Sequence, residues 1–183
     1  MPLSQLDANA ALIVIDLQKG IVGLPTVTPS AQVVERSAAL AKAFRASGRP
    51  VVLVNVVASA PGRSDAGHRA FPEDPSFIEL VPELEQAPTD HLVSKQRWGA
   101  FQDTDLDAWL RGQGVEQVVI VGIATSVGVE STARYANELG YHVVLVPDAM
   151  TDLNADAHEN SVTRIFPRIA ETTDTQTLLA TLA

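Results

Sequence analysis

Three places in the chain set a chemistry-bearing residue directly behind an apolar run. Residues 11–15 (ALIVI) are followed at once by Asp16, then Leu17 and Gln18; residues 91–94 by Lys95, Gln96, Arg97, Trp98, Gly99, Ala100 and Phe101; and residues 117–121 (QVVIV) by Gly122-Ile123-Ala124-Thr125-Ser126-Val127-Gly128. A carboxylate in such a position can give or take a proton, and an ammonium can orient it or stabilise charge. A turn of small residues that enters a helix can aim backbone N–H groups at a ligand's developing negative charge. Singly, each has an ordinary explanation: a turn cap, a solvated lysine, glycines that permit close packing. At the ends of three strands of one sheet they make a candidate site.

Other candidate motifs fail on spacing. Asp103, Asp105 and Asp107 start like a calcium loop, but such a loop needs glycine sixth and glutamate twelfth, where this chain has Ala108 and Gly114. They suit the N-terminus of a helix instead. The stretch from Gly62 through Ser64 to Gly67 misses the nucleophile-elbow spacing by one residue. Gly112-Gln113-Gly114 ends a helix and so is no dinucleotide fingerprint. The four histidines, His68, His91, His142 and His158, lack metal-ligand spacing. His68, near Asp65, is the one that could face a site. No metal and no cofactor are expected.

The elements that must hold these residues follow from hydrophobic patterning. The β-branched runs 11–15, 51–57, 91–94, 117–121 and 142–146 lack polar alternation, as strands buried on both faces do. Between them, 31–47, 103–111, 126–139 and 154–166 carry apolar residues at helical spacing, with Gly48, Gly112, Gly140 and Pro167 as stop signals. A short strand at 169–171 and a helix from Asp174 complete the chain. Alternating strands and helices predict a three-layer α/β/α sandwich around a mostly parallel, doubly wound sheet, spanning 1–183 as one domain. In such sheets ligands bind at the carboxyl ends of the strands. Residues 58–90 hold five of the eleven prolines and are too long for a plain connection, which predicts short helices and the rim of a site.

Composition narrows the function. The 183 residues contain 22 acidic and 13 basic side chains, a net charge of −9, which gives no attraction to nucleic acid or anionic lipid. The polar N-terminus and the lack of a long apolar run point to a cytoplasmic protein with no membrane association. There is no cysteine, hence no disulfide and no thiol nucleophile.

With VIDLQKGI from Val14, SKQRWGAF from Ser94, VVIVGIATSVGVESTAR from Val118 and HVVLVPDAMTD from His142, the sequence resembles the isochorismatase-like hydrolase superfamily over nearly its whole length. The resemblance implies an aspartate, a lysine and a nucleophilic cysteine at the three strand ends. The first two correspond to Asp16 and Lys95. The cysteine position falls on Gly128, and glycine is also what some isochorismatases look like there. The resemblance further implies a cis peptide between Ile123 and Ala124, and a homodimer or homotetramer.

Gly128 cannot attack an amide carbonyl as a thiolate does. Hydrolysis of a vinyl ether, the isochorismate-type reaction, needs instead an acid to protonate the enol carbon, and water. Asp16 is the candidate acid: burial would raise its pKa, while Lys95 would lower it. Lys95 would orient it or stabilise charge, and the turn with Ala124, Thr125 and Gly128 would supply donors. Gln18, Arg97, Trp98 and Phe101 are candidate pocket-wall residues. Ser126 and Ser131 are the available hydroxyl nucleophiles, yet neither sits at the cysteine position. The glutamine that isochorismate-specific relatives carry after the second strand is missing from Asn55-Val56-Val57-Ala58, and residues 57–71 lack the metal-binding Asp-x-His of nicotinamidases. The partner is thus a small-molecule substrate of open identity. The rival expectation is an inactive member that serves as a ligand-binding or oligomeric scaffold.

Overall fold

Among the described residues, the five apolar runs and a short polar segment form six strands of one parallel sheet: β1 (Ala10–Ile15), β2 (Val51–Val56), β3 (His91–Lys95), β4 (Gln117–Ile123), β5 (His142–Thr151) and β6 (Glu171–Thr172), in the order β3-β2-β1-β4-β5-β6. The computed structural model describes residues 3–65, 67 and 70–182. His68 lies outside the described residues. The chain starts in the middle of the sheet, winds outward through β2 and β3, then returns to the other side of β1 with β4. The topological switch therefore lies between β1 and β4, where doubly wound sheets open a crevice.

Every residue of β1 and β4 is buried, which is why neither run alternates with polar residues. Ala11, Ile13 and Ile15 pack on one face with Leu106 and Leu110 of α3 (Leu106–Gly112), Ala133 and Ala136 of α4 (Glu130–Glu138) and Phe166 of α6 (Phe166–Ile169). Ala10, Leu12 and Val14 pack on the other with Val33, Leu40, Ala41 and Phe44 of α2 (Ser30–Ala46) and Leu178 of α7 (Thr175–Leu182). Two cores on opposite faces of one sheet make the three-layer α/β/α sandwich.

Several boundaries differ from the pattern-based expectation. The third helical stretch begins with a widened π turn, Thr125–Val129, before α4 proper. The fourth begins as α5 (Ala155–Asn160), widens at Ser161–Ile165 and continues through Pro167 as α6. Proline is tolerated because it falls in the first turn after the widening, where its missing N–H is not needed. The last strand lies at Glu171–Thr172, shifted along from 169–171. A four-residue helix, α1 (Lys19–Val22), follows Gln18. The described residues of 58–90 include two 3-10 turns, Pro75–Ile78 and Pro82–Leu84. The second part of this stretch is fastened to the end of β1, since Lys19 N–H donates to Glu79 O (2.8 Å) and Val81 N–H to Leu17 O (3.0 Å).

Candidate active site

Asp16 is the first residue beyond β1. Its backbone turns sharply, with φ at +52°, an uncommon conformation for a residue other than glycine, and its N–H donates to Val54 O on β2 (3.0 Å). Beside it, Gly122 of β4 lies against Ile15 so closely that a Cβ there would fall 2.1 Å from Ile15 O. Only glycine, at φ +122°, lets the two strands meet at this level.

Lys95 closes β3 and pairs in register with Val56 of β2. Its side chain passes over the end of β2, and Nζ donates to Asp16 Oδ2 (2.8 Å) and to Arg97 O (3.2 Å). The pair is nearly closed off from solvent, with Lys95 2% and Asp16 6% exposed. The other oxygen, Asp16 Oδ1, is buried and has no hydrogen-bond partner among the described residues. Burial, opposed by the attraction and hydrogen bond of the Lys95 ammonium, pushes the Asp16 carboxyl up to about 6. Desolvation therefore prevails in the competition that sequence alone left open.

Gly128 lies in the π turn and borders the same carboxylate. A Cβ built on it would stand 3.2 Å from Asp16 Oδ2 and 2.9 Å from Ile15 Cγ2. The turn is tied down at its start: Ser126 N–H and Oγ–H both donate to Asp152 Oδ2 (2.7 and 2.8 Å), and Thr125 Oγ1 is 2.8 Å from His158 Nδ1. The Ile123–Ala124 peptide is cis. The expectation that this turn offers a row of free donors is corrected in part, because Val127 N–H points to Ala124 O and Ser126 N–H to Asp152. Ser126 likewise has its hydroxyl engaged, and Ser131 packs its backbone against Gly99.

The remaining expected wall residues divide. Gln18 is fully buried, and its amide is committed to backbone: Nε2 donates to Val56 O and Phe77 O, and Oε1 accepts from Val56 N–H. It clasps the 58–90 stretch to β2 in place of presenting an amide to a ligand. Phe101 is a core residue, 5% exposed, with its ring 6.0 Å from that of Tyr135 and 5.9 Å from that of Tyr141. Arg97 pairs with Asp103 (2.9 Å), and Trp98 is 61% exposed. The structure therefore brings together Asp16, Lys95, Gly128 and the turn holding Ala124 and Thr125, and assigns Gln18 and Phe101 to support. Surface depressions lined by Gln117, Tyr141 and His142, and by Pro147, Asp148 and Thr177, contain none of these residues.

Two residues near the site are not singled out by the sequence patterns. Asp152 is 3% exposed and anchors the turn; a signal for it exists, since it follows a long apolar strand as Asp16 does. Thr132, fully buried in α4, has no such signal. Among the described residues no group of three His, Cys, Asp or Glu side chains could hold a metal ion, and no helix is long and apolar enough to cross a membrane.

Residues 10–177 match the isochorismatase domain. The chain is 42% identical over 190 residues to the isochorismatase family protein YecD of Escherichia coli O157:H7, covering 97% of this chain and 100% of that one. It is 32% identical over 186 residues to the ureidoacrylate amidohydrolase RutB of Variovorax paradoxus (strain S110), covering 85% and 74%. Its fold superposes on an isochorismatase family protein from Burkholderia thailandensis with a TM-score of 0.93, at 39% identity and 97% coverage of both chains. A doubly wound sheet with a buried carboxylate–ammonium pair at its switch point thus accompanies likeness along nearly the full length, and the chain belongs to the isochorismatase family of hydrolases.

Proposed function

We propose that this hydrolase acts on a small organic molecule without a covalent enzyme intermediate, and that its reaction is hydrolysis of a vinyl ether with Asp16 as general acid. The observation that carries this reading is the Asp16 carboxyl itself: buried, raised to about 6, and with Oδ1 unpartnered among the described residues while Lys95 holds Oδ2. An acid whose pKa lies near the working pH can both hold its proton and release it.

Lys95 engages Oδ2, so the proton sits on Oδ1, the oxygen left for substrate. Transfer of that proton to the terminal vinyl carbon gives an oxocarbenium ion. Water adds to its carbon, and the proton that water loses returns to the Asp16 carboxylate. The resulting hemiketal collapses to a carbonyl compound and an alcohol. Gly128, at the position corresponding to the family's cysteine, puts no side chain of its own beside Asp16 Oδ2, where a Cβ would stand 3.2 Å away. Amide hydrolysis of the kind named for RutB is disfavoured here because the chain has no cysteine.

The absence of a thiol and the engagement of the Ser126 hydroxyl with Asp152 favour a second reading, a ligand-binding or oligomeric scaffold without turnover. A panel of vinyl ethers, esters and amides, run with a thermal-shift ligand screen, separates the two. Turnover of a vinyl ether that Asp16→Asn abolishes, with the fold retained, supports the acid mechanism. Undiminished activity in Asp16→Asn refutes it, and binding without turnover across the panel favours the scaffold.

A further inference from the structure

The limbs on either side of Asp16 are joined behind the site through one side chain. Thr132 Oγ1 donates to Gly128 O (2.6 Å) and accepts from Ala100 N–H (3.1 Å). Thr132, Gly128 and Ala100 are all buried. Ala100 belongs to the segment that follows Lys95, and Arg97 O in that segment accepts from Lys95 Nζ. Gly99 in the same segment lies against α4, where a Cβ on it would come 3.3 Å from Ser131 O. These links run from Asp16 to Lys95, from Lys95 to Arg97, along the chain to Ala100, from Ala100 to Thr132 and from Thr132 to Gly128, which itself borders Asp16, since a Cβ on it would stand 3.2 Å from Oδ2.

We infer that Thr132 is a positioning residue, whose hydroxyl sets the separation between the lysine limb and the glycine turn and so holds Lys95 and Gly128 against the Asp16 carboxylate. This rests on the assignment of Asp16 as the reacting group. A threonine in a helix commonly bonds back to the carbonyl four residues before it, so the bond to Gly128 alone would be unremarked. What singles out Thr132 is the second partner, an N–H from another limb of the site. Ala100 N–H is buried and donates to this hydroxyl, and a buried N–H left without a partner is costly. Valine at this position keeps the β-branched shape and removes both bonds; serine keeps both bonds and removes a methyl group.

The test is NMR of the whole protein, following the carboxyl carbon of Asp16 and the ammonium nitrogen of Lys95 against pH in the wild type, Thr132→Val and Thr132→Ser, with thermal melting in parallel. In Thr132→Val the limbs part, which changes both the solvation of the carboxyl and its distance from Lys95, so the Asp16 midpoint shifts by about half a pH unit or more in either direction and the Lys95 nitrogen signal moves. Thr132→Ser restores both. A role in helix packing alone would lower the melting temperature and leave both signals in place; that result overturns the proposal. Should Thr132→Val fail to fold, Thr132→Ala, which leaves room for water between Ala100 N–H and Gly128 O, is judged by the same two signals. Failure of the acid assignment shows separately, as turnover that survives Asp16→Asn, and leaves unchanged both signals and what they establish about Thr132.

Discussion

The ammonium of Lys95, on β3, lies 2.8 Å from Oδ2 of Asp16, beyond β1, although β2 runs between the two strands. Two strand spacings are about 9–10 Å, so only a long side chain laid across the end of β2 can make this contact. The result is an ion pair withdrawn from water, with the ammonium on one oxygen only. Oδ1 keeps an unmet hydrogen-bonding capacity, and the carboxyl titrates well above its usual range because the loss of solvent outweighs the gain from lysine.

The pH dependence of catalysis follows directly. A general acid must be protonated in the free enzyme, so kcat/KM for a turned-over vinyl ether should be level at low pH and fall about tenfold per unit above about 6. A rate that instead rises through this range would assign Asp16 as a base.

Stability should carry the same signature with a definite sign. The Asp16 carboxyl titrates at about 6 when folded and at the ordinary 3.8 when unfolded, so between these values the native state holds the extra proton. Its contribution to stability is full below 3.8 and is lost as pH rises through about 6. Asp74, Glu171 and Asp174, held below the usual range by hydrogen bonds to their carboxylates, act in the opposite direction, losing stability as pH falls. Urea unfolding of wild type and Asp16→Asn from about pH 4 to about pH 7 isolates the first effect: the advantage of wild type over the variant should shrink as pH rises.

Lys95→Met removes the ammonium and keeps a long apolar stem. The remaining influence on Asp16 is then burial, so its pKa should rise further and the falling limb of the pH–rate profile should move to higher pH, with a lower kcat because Oδ2 is no longer held. An unmoved limb would show that Lys95 does not act on this carboxyl.

Gly128→Ala tests the close approach at the turn. Its methyl group would stand 2.9 Å from Ile15 Cγ2, and overpacking of this kind costs about 1–3 kcal/mol, measurable as a lower urea midpoint. In Gly128→Cys, new esterase or amidase activity would show that the surrounding groups can serve a thiol.

Phe101 and Trp98, paired in the sequence as candidate wall residues, should separate. Phe101→Ala removes a core ring and should cost about 3–5 kcal/mol, whereas Trp98→Ala at an exposed position should change stability by no more than about 0.5 kcal/mol. Comparable losses in both would place Trp98 in the core as well.

Much of the frame is legible in the chain alone. Unbroken runs such as ALIVI and QVVIV mark strands covered on both faces, because only a parallel sheet between helix layers hides every side chain of a strand. The stop signal at Pro167 misleads, since a π widening upstream lets the helix run on to Ile169. Gln18 and Phe101 mislead differently. A buried amide that satisfies three backbone groups and an aromatic ring in the core have the same residue types as a pocket wall, and type alone does not tell which way a side chain faces.

The sequence by itself determined the strand ends that carry Asp16, Lys95 and the Gly128 turn, and the absence of a thiol, because apolar periodicity and composition are local properties of the chain. Tertiary structure decided that Lys95 crosses β2 to one oxygen of Asp16, that burial prevails over that lysine, and that Asp152 and Thr132 hold the turn. Desolvation and hydrogen-bond partnership depend on what surrounds a group, and those surroundings are contributed by residues distant in the chain.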